Sequence, residues 1–329
     1  MHEALNNFWY AVEHAAALAT VPRQVTLLGN KYVLYRDGSG QPHAALDRCP
    51  HRGASFKNGW VESDCLRCPY HGWSFDLKGH CVHIPVDQPG VPIPALARLE
   101  MLPVHEASGF IWIFPGDPAK ADVSLIPDFP EFNAPGWRAV SGEYAWDANF
   151  SRVVESGLDT SHAPFVHKTF FSNRDDAAVH PLDVNDQPGS VSCLVTMKPP
   201  KPLGVFKYVL KKKRNLPTTW LTCFLPNINR MDVDFGMKGY RFVYMGSNIP
   251  VSSTRTVTKW IEVRNFIRQP IGDRQFIKDT VNTYNEDRAL VETQHQHFSW
   301  ESGQKELLLA SDQLILAYRK RMAALIPRA

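Results

Sequence analysis

Long apolar runs are missing from this chain. No stretch approaches the ~18 consecutive apolar residues that mark a membrane-spanning helix. The opening, MHEALNNFWYAVEHAAALA, carries acidic residues where a secretory leader would carry basic ones, so no leader is expected. An excess of one charge is missing too. The 36 Lys and Arg against 33 Asp and Glu leave a formal net charge of +3, too small to argue for a nucleic-acid partner. Cysteine is scarce: six in 329 residues, which excludes a disulfide-dense scaffold and suits a reducing, cytoplasmic setting. No internal repeat or low-complexity tract breaks the chain. An ordinary hydrophobic content of 44% is enough for one or two domains with a sizeable core.

The few cysteines are not scattered. Cys49-Pro-His51-Arg-Gly53 is followed, with sixteen residues between His51 and Cys68, by Cys68-Pro-Tyr-His71-Gly72. Each loop offers one thiolate and one imidazole, with proline after the cysteine and glycine soon after the histidine. Sulfur and imidazole nitrogen together select a transition metal or an iron–sulfur centre, not calcium or magnesium. Two chemistries use such a set. One is a tetrahedral zinc clip. The other is a 2Fe–2S centre with two cysteines on one iron and two histidines on the other. The pairing of one Cys and one His per loop favours the second, and the glycines let backbone N–H groups approach the sulfurs. Cys65 makes a CxxC with Cys68 but has no histidine at the loop spacing, so it is expected to be a bystander. Trp60 and Trp73 are expected to pack the cage. His80, His83, His295 and His297 lack ligand partners and are expected at the surface or in support.

Up to about residue 117 the pattern is β-like, with short apolar or alternating runs at 8–12, 24–29, 31–36, 43–48 and 109–114. A segment rich in proline and acid, 118–137, reads as a connector. Beyond it a helix is expected over 146–163, strands over 190–197, 218–225, 240–246 and 254–263, and long helices over roughly 273–297 and 311–325. Strands followed by helices suggest an α+β domain with a helix-covered sheet. The aromatic strand residues Trp220, Phe224, Tyr244 and Trp260 could face either the core or a substrate pocket, and the core is the expectation. The basic run Lys211-Lys-Lys-Arg214 is expected on a solvated loop, within a proline- and lysine-rich segment placed to act as an entrance lid.

A second constellation lies at Glu155-Ser-Gly-Leu-Asp159-Thr-Ser-His162-Ala-Pro-Phe-Val-His167. Asp159 and His162 can share a helix face. His162 and His167, five apart, cannot, but Pro164 breaks the helix between them and lets both imidazoles converge on one ion. A carboxylate from elsewhere would complete a two-His-one-carboxylate site of the non-haem Fe(II) type. The candidate lies in Tyr284-Asn-Glu286-Asp287-Arg, where periodicity cannot separate Glu286 from Asp287.

With its CxHx16CxxH, DxxHxxxxH and late EDR motifs in this order, the chain resembles the oxygenase components of the Rieske non-haem iron oxygenases, the ring-hydroxylating family. The resemblance covers nearly the whole chain. The short length and the NNFWYAV opening are similar to the monooxygenase and O-demethylase branch. The resemblance implies an α+β fold: an N-terminal all-β Rieske domain at 1–117, the connector at 118–137, and a C-terminal catalytic domain at 138–329 with a helix-covered antiparallel β-sheet. It implies a 2Fe–2S cluster on Cys49, His51, Cys68 and His71, and a mononuclear Fe(II) on His162, His167 and Asp287. O2 would be the co-substrate. Electrons would come from a reductase or ferredoxin, with NAD(P)H acting only through a separate reductase. A homotrimer without a β subunit is implied, in which Asp159 bridges a cluster histidine and an iron histidine of neighbouring subunits. The implied reaction is hydroxylation or oxidative demethylation of a small aromatic or polycyclic molecule. A cis-dihydroxylating dioxygenase is the alternative within the class, and a zinc-stabilised binding protein the alternative outside it. One position departs from the family pattern: Ser156 stands where (Glu/Asp)-Asn-x-x-Asp carries its asparagine.

Overall fold

A computed structural model of the chain describes residues 3–87, 90–167, 177, 182–196, 216–237, 239–294 and 306–326. The basic run 211–214, most of the segment around it, His295 and His297 lie outside the described residues. The chain divides between Ile126 and Pro127 into two compact units.

The first unit is all-β, as expected. Its strands are β1 Tyr10–His14, β2 Arg23–Leu27, β3 Asn30–Arg36, β4 Pro42–Leu46, β5 Trp60–Glu62, β6 Cys65–Arg67, β7 Ser74–Phe75, β8 Cys81–His83, β9 Met101–Leu102, β10 Val104–Ala107 and β11 Phe110–Ile113. They form three small antiparallel sheets, ordered β1-β11-β10, β2-β3-β4-β9 and β5-β6-β7-β8. Cys49 and Cys68 sit in one core with Tyr35, Phe56, Leu66 and Phe75. The first cysteine loop follows β4, and the carboxylate of Asp47 pins it by accepting from Phe56 N at 2.6 Å and Ser55 Oγ at 2.6 Å. The second loop connects β6 to β7.

The second unit is built on a seven-stranded antiparallel sheet. Its strands are β12 Arg138–Trp146, β13 Val184–Gln187, β14 Ser190–Thr196, β15 Thr218–Phe224, β16 Ile228–Asp234, β17 Arg241–Ser252 and β18 Arg255–Arg264. The order is β12-β18-β17-β16-β15-β14-β13. Four helices accompany it: α1 Phe150–Leu158, α2 Ala163–Val166, α3 Asp273–Val291 and α4 Gln313–Leu325. The helix expected over 146–163 is corrected at both ends. Trp146 closes β12, and helix α1 starts only after Asn149, whose Oδ1 caps the N–H of Ser151. Pro164 then separates α1 from the one-turn α2.

Strand alternation places Tyr244, Asn248, Thr258, Trp260, Glu262 and Arg264 on one face of the sheet. The helices cover that face. Asn229 reaches from β16 to donate to the Val154 carbonyl of α1 at 3.2 Å. The approach depends on Gly157, where a Cβ would stand 2.8 Å from the Asn229 amide nitrogen. Arg138 and Arg264 tie the first residue of α3, Asp273, to β12 and β18. Tyr318 of α4 donates to the Pro226 carbonyl at 3.0 Å. Trp260 is fully buried, as expected, whereas Trp220 is 48% exposed and is not a core residue.

Candidate metal centres

The two cysteine loops share one hydrogen-bond frame. In the first, Cys49 N donates to Ala54 O and Gly53 N to Cys49 O, at 2.9 and 2.8 Å. In the second, Cys68 N donates to Trp73 O and Gly72 N to Cys68 O, at 2.9 and 3.0 Å. Both glycines have φ of +72°, a conformation that a side chain strains. Each turn therefore closes four residues after its cysteine and folds its backbone N–H groups over the sulfur. The N–H groups of His51 and Arg52 face Cys49, and those of Tyr70 and His71 face Cys68.

The donors sort by element. The two cysteines are buried beside each other, and that proximity chiefly pushes Cys49 up and Cys68 down. The two imidazoles lie outward, His51 exposed, with their Nδ1 atoms 3.2 Å apart. Trp73 stacks on His51 at 4.7 Å between centroids, which fixes that ring. Trp60, expected in the same cage, is 45% exposed and packs no part of it. Among the described residues only one group of three or more donors gathers close enough for a single ion, and it is not this one. Sulfurs on one side and nitrogens on the other suit a two-iron cluster, not one tetrahedral zinc. Buried thiols with backbone donors aimed at them, and imidazole nitrogens free to ligate, fit that group. His80 is half-exposed beside Asp76, at 3.4 Å, and His83 is exposed.

The group that does gather is His162, His167 and Asp287. His162 caps α2 and His167 ends it, so one turn of helix carries both imidazoles round to face each other. Their Nε2 atoms are 3.2 Å apart. Asp287 Oδ1, from α3, is 3.4 Å from one and 3.5 Å from the other. Donor atoms about 2.1 Å from one ion stand about 3.0–3.4 Å apart at octahedral or tetrahedral angles. Glu286 faces elsewhere: its Oε2 lies 3.2 Å from His167 Nδ1, the ring nitrogen on the far side. That contact turns the lone pair of His167 Nε2 toward the centre of the triangle. His162 Nδ1 faces Asp159 Oδ2 at 3.6 Å. Asp287 Oδ1 is buried with no hydrogen-bond partner. Three acceptors aimed at one point need a cation. Without a metal, burial opposes a charge on His162, but Asp159 and Asp287 outweigh it and lift the imidazole to about 10.

Asp159 caps the end of α1. Burial opposes its charge, yet His162 and the bonds from Ser161 hold its carboxyl below the ordinary value. A cavity of about 420 Å³ opens beside this group and is lined by Ser156, Asp159, His162 and Asp287. Arg152, Glu155, Glu306 and Arg319 line it as well. Glu155 is chelated by Arg319 through two 2.7 Å bonds, and both arginines also hold Glu306, whose carboxyl the Arg152 contact chiefly drives down to about 2. This ion cluster, with Arg152 and Glu155 buried, was not foreseen, since Glu155 and Arg319 lie 164 residues apart. Nor was the hydroxyl pair of Tyr244 and Tyr284, 2.5 Å apart beneath α3. Burial, then Tyr244 and the charges of Glu262 and Asp287, pushes Tyr284 well above its ordinary value.

Comparison with known proteins bears on the same two units. Residues 8–103 match the Rieske [2Fe-2S] domain, and residues 146–328 match the vanillate O-demethylase oxygenase C-terminal domain. The chain belongs to the Rieske oxygenases. Dicamba O-demethylase, oxygenase component, from Stenotrophomonas maltophilia is 39% identical over 164 residues, half of this chain and 48% of that protein. Methylxanthine N1-demethylase from Pseudomonas putida is 29% identical over 97% of this chain and 88% of its own length. The crystal structure of dicamba monooxygenase bound to 3,6-dichlorosalicylic acid superposes with a TM-score of 0.85 at 26% identity, covering 98% of this chain and 97% of the other. This Rieske oxygenase is thus an iron–sulfur and mononuclear-iron enzyme that uses O2, and a zinc-stabilised binding protein is set aside. Among its described residues no helix is long and apolar enough to cross a membrane.

Proposed function

We propose that this Rieske oxygenase is the oxygenase component of a cytoplasmic monooxygenase system that hydroxylates, or oxidatively demethylates, a small aromatic or polycyclic substrate. The observation that carries the reading is the convergence of His162 Nε2, His167 Nε2 and Asp287 Oδ1 within 3.5 Å of one another. Three ligands on one side of an ion leave the opposite positions open for O2 beside a substrate. Cys49, His51, Cys68 and His71 would hold the 2Fe–2S cluster, and His162, His167 and Asp287 the mononuclear iron. Iron held there would supply O2 activation, O2 with two electrons and two protons giving one inserted oxygen atom and one water.

The chain's own residues prepare this. Glu286 orients His167 by accepting from its Nδ1–H. Asp159 holds the Nδ1 side of His162 and, by analogy with the family, would also meet a cluster histidine of the next subunit in a homotrimeric ring. Electrons would come from a ferredoxin or reductase partner. The names of the two demethylase relatives point the same way, toward removal of a methyl group from an aromatic compound.

Reconstituted protein, a surrogate reductase and a panel of methoxylated and N-methylated aromatics test the reading. Substrate-dependent O2 uptake is expected, with one atom of labelled O2 entering the product. Incorporation of two atoms would replace monooxygenation by cis-dihydroxylation. His162→Ala is expected to abolish turnover while leaving the cluster spectrum intact; full activity in that variant would overturn the ligand assignment.

A further inference from the structure

Beside the iron site runs a file of oxidisable rings that the proposed reaction does not use. Tyr284 lies three residues before Asp287 on the same face of α3. Its ring is 5.3 Å from that of Trp146 and 5.1 Å from that of Tyr144, and those two are 4.9 Å apart. Trp146 is buried and its Nε1–H donates to Thr258 Oγ1 at 2.9 Å. Tyr144 is half-exposed, and its hydroxyl donates to Asn285 Oδ1 at 2.6 Å. Ring contacts therefore connect the turn that bears the metal carboxylate to solvent, through Trp146 and directly from Tyr284 to Tyr144. Packing alone does not require this chemistry. Elsewhere in the same unit a ring cluster is mostly phenylalanine, Phe235, Phe266 and Phe276 with Tyr240 beside them. At Asp287 every ring in the file is Tyr or Trp.

We infer that Trp146 and Tyr144 form an escape path for oxidising equivalents that arise when O2 is activated with no substrate bond to attack. The inference rests on the iron assignment above. Trp146 gives one electron to the iron centre across the Tyr284 ring. Its indole N–H stays bonded to Thr258, so it carries the hole without releasing a proton. Tyr144 then returns an electron to Trp146 and sheds its phenol proton to water. A small-molecule thiol restores Tyr144 by donating a hydrogen atom and is itself left as a thiyl radical. The iron centre gains one electron, and the thiol supplies it. Each turn of this path spares His162 and His167 from oxidation.

The test uses iron-loaded holoenzyme mixed with hydrogen peroxide in the absence of substrate and thiol, frozen at short times for EPR and digested for peptide mass spectrometry. The wild type is expected to show a tyrosyl radical whose hyperfine pattern collapses when the protein carries ring-deuterated tyrosine, with oxygen adducts on Trp146 and Tyr144. Tyr144→Phe is expected to lose the tyrosyl signal and concentrate adducts on Trp146. Trp146→Phe leaves only the direct contact of Tyr284 with Tyr144 and is expected to lower the tyrosyl signal several-fold, to gain adducts on His162 and His167, and to release its iron after several-fold less peroxide. Equal radical yields and equal adduct maps in all three proteins would overturn the path. If Trp146→Phe does not fold, Tyr144→Phe, at a half-exposed position, decides alone. The nitric oxide complex of the ferrous site, recorded before peroxide, separates the two levels: its absence overturns the iron assignment and the path with it, whereas its presence without a protein radical overturns the path only.

Discussion

Replacing Glu262 by Gln makes the protein more stable in mild alkali. Glu262 is buried on β18, where Oε2 accepts from Thr280 Oγ1 at 2.7 Å and Oε1 has no hydrogen-bond partner. Burial, only partly offset by Thr280 and Arg264, raises its carboxyl from 4.5 to about 7. The folded state thus holds a proton that the unfolded state has released between those two values. Stability tracks the difference in bound protons, so this group's contribution is fully present below pH 4.5 and is lost as pH rises through about 7. A shift of about 2.5 pKa units at about 1.36 kcal/mol each corresponds to roughly 3 kcal/mol between those limits. Gln is neutral at every pH and can keep the Thr280 bond, so Glu262→Gln is expected to gain up to about 3 kcal/mol at pH 8.5 and little at pH 5. Anaerobic urea titrations of both proteins at the two pH values, followed by far-ultraviolet circular dichroism, measure the difference. Wild-type and variant midpoints that keep a constant offset at both pH values would refute the reasoning, because they would show that Glu262 does not change its protonation on unfolding.

Asp159→Asn is expected to retain both metals but to slow oxidation of the reduced cluster in single turnover; wild-type cluster oxidation rates would rule out the bridge. Arg319→Met leaves Glu155 beside Arg152 at 3.3 Å, and removing one member of an ion cluster whose Arg152 and Glu155 are buried costs about 3 kcal/mol, readable as a lowered urea midpoint. Gly157→Ala puts a methyl group 2.8 Å from the Asn229 amide nitrogen. Over-packing of this kind costs about 1–3 kcal/mol; an unchanged melting curve would show that α1 can lift from the sheet.

The metal residues were the most legible part of the sequence because their chemistry is local. Cys49 and His51 announce themselves within three residues, as do Cys68 and His71 within four. The Pro164 break explains how His162 and His167 meet, and the structure brings them together at the ends of α2. What the sequence left open depends on distance across the fold. Glu286 and Asp287 are neighbours about 100° apart around a helix, so only the position of α3 decides which carboxylate enters the triangle. Strand β16, INRMDVD, was not anticipated although Arg230, Asp232 and Asp234 alternate with Met231 and Val233 at the strand period; Arg230 and Asp232 answer each other at 2.8 Å on the face away from the helices. The helix expected from residue 146 starts later than its apolar pattern suggests. Trp146 belongs to the apolar pattern of α1 only by proximity, and its indole instead finishes β12 against Thr258. Trp60 drew attention by its nearness in sequence to the cysteine loops, yet strand β5 turns it to solvent.

Helix α2 is four residues long. A single turn is too short to hold itself in water, since nucleation costs more than one turn of hydrogen bonds returns. Its ends nevertheless carry two imidazoles that meet at 3.2 Å. An ion that takes both closes a small ring of backbone and acts as the missing length of helix. Occupancy of the site and order of this turn then become one equilibrium. Iron loss would not leave an intact socket waiting to be refilled; it would loosen the segment that recognises iron, so reloading would have to refold the turn as well as bind the metal.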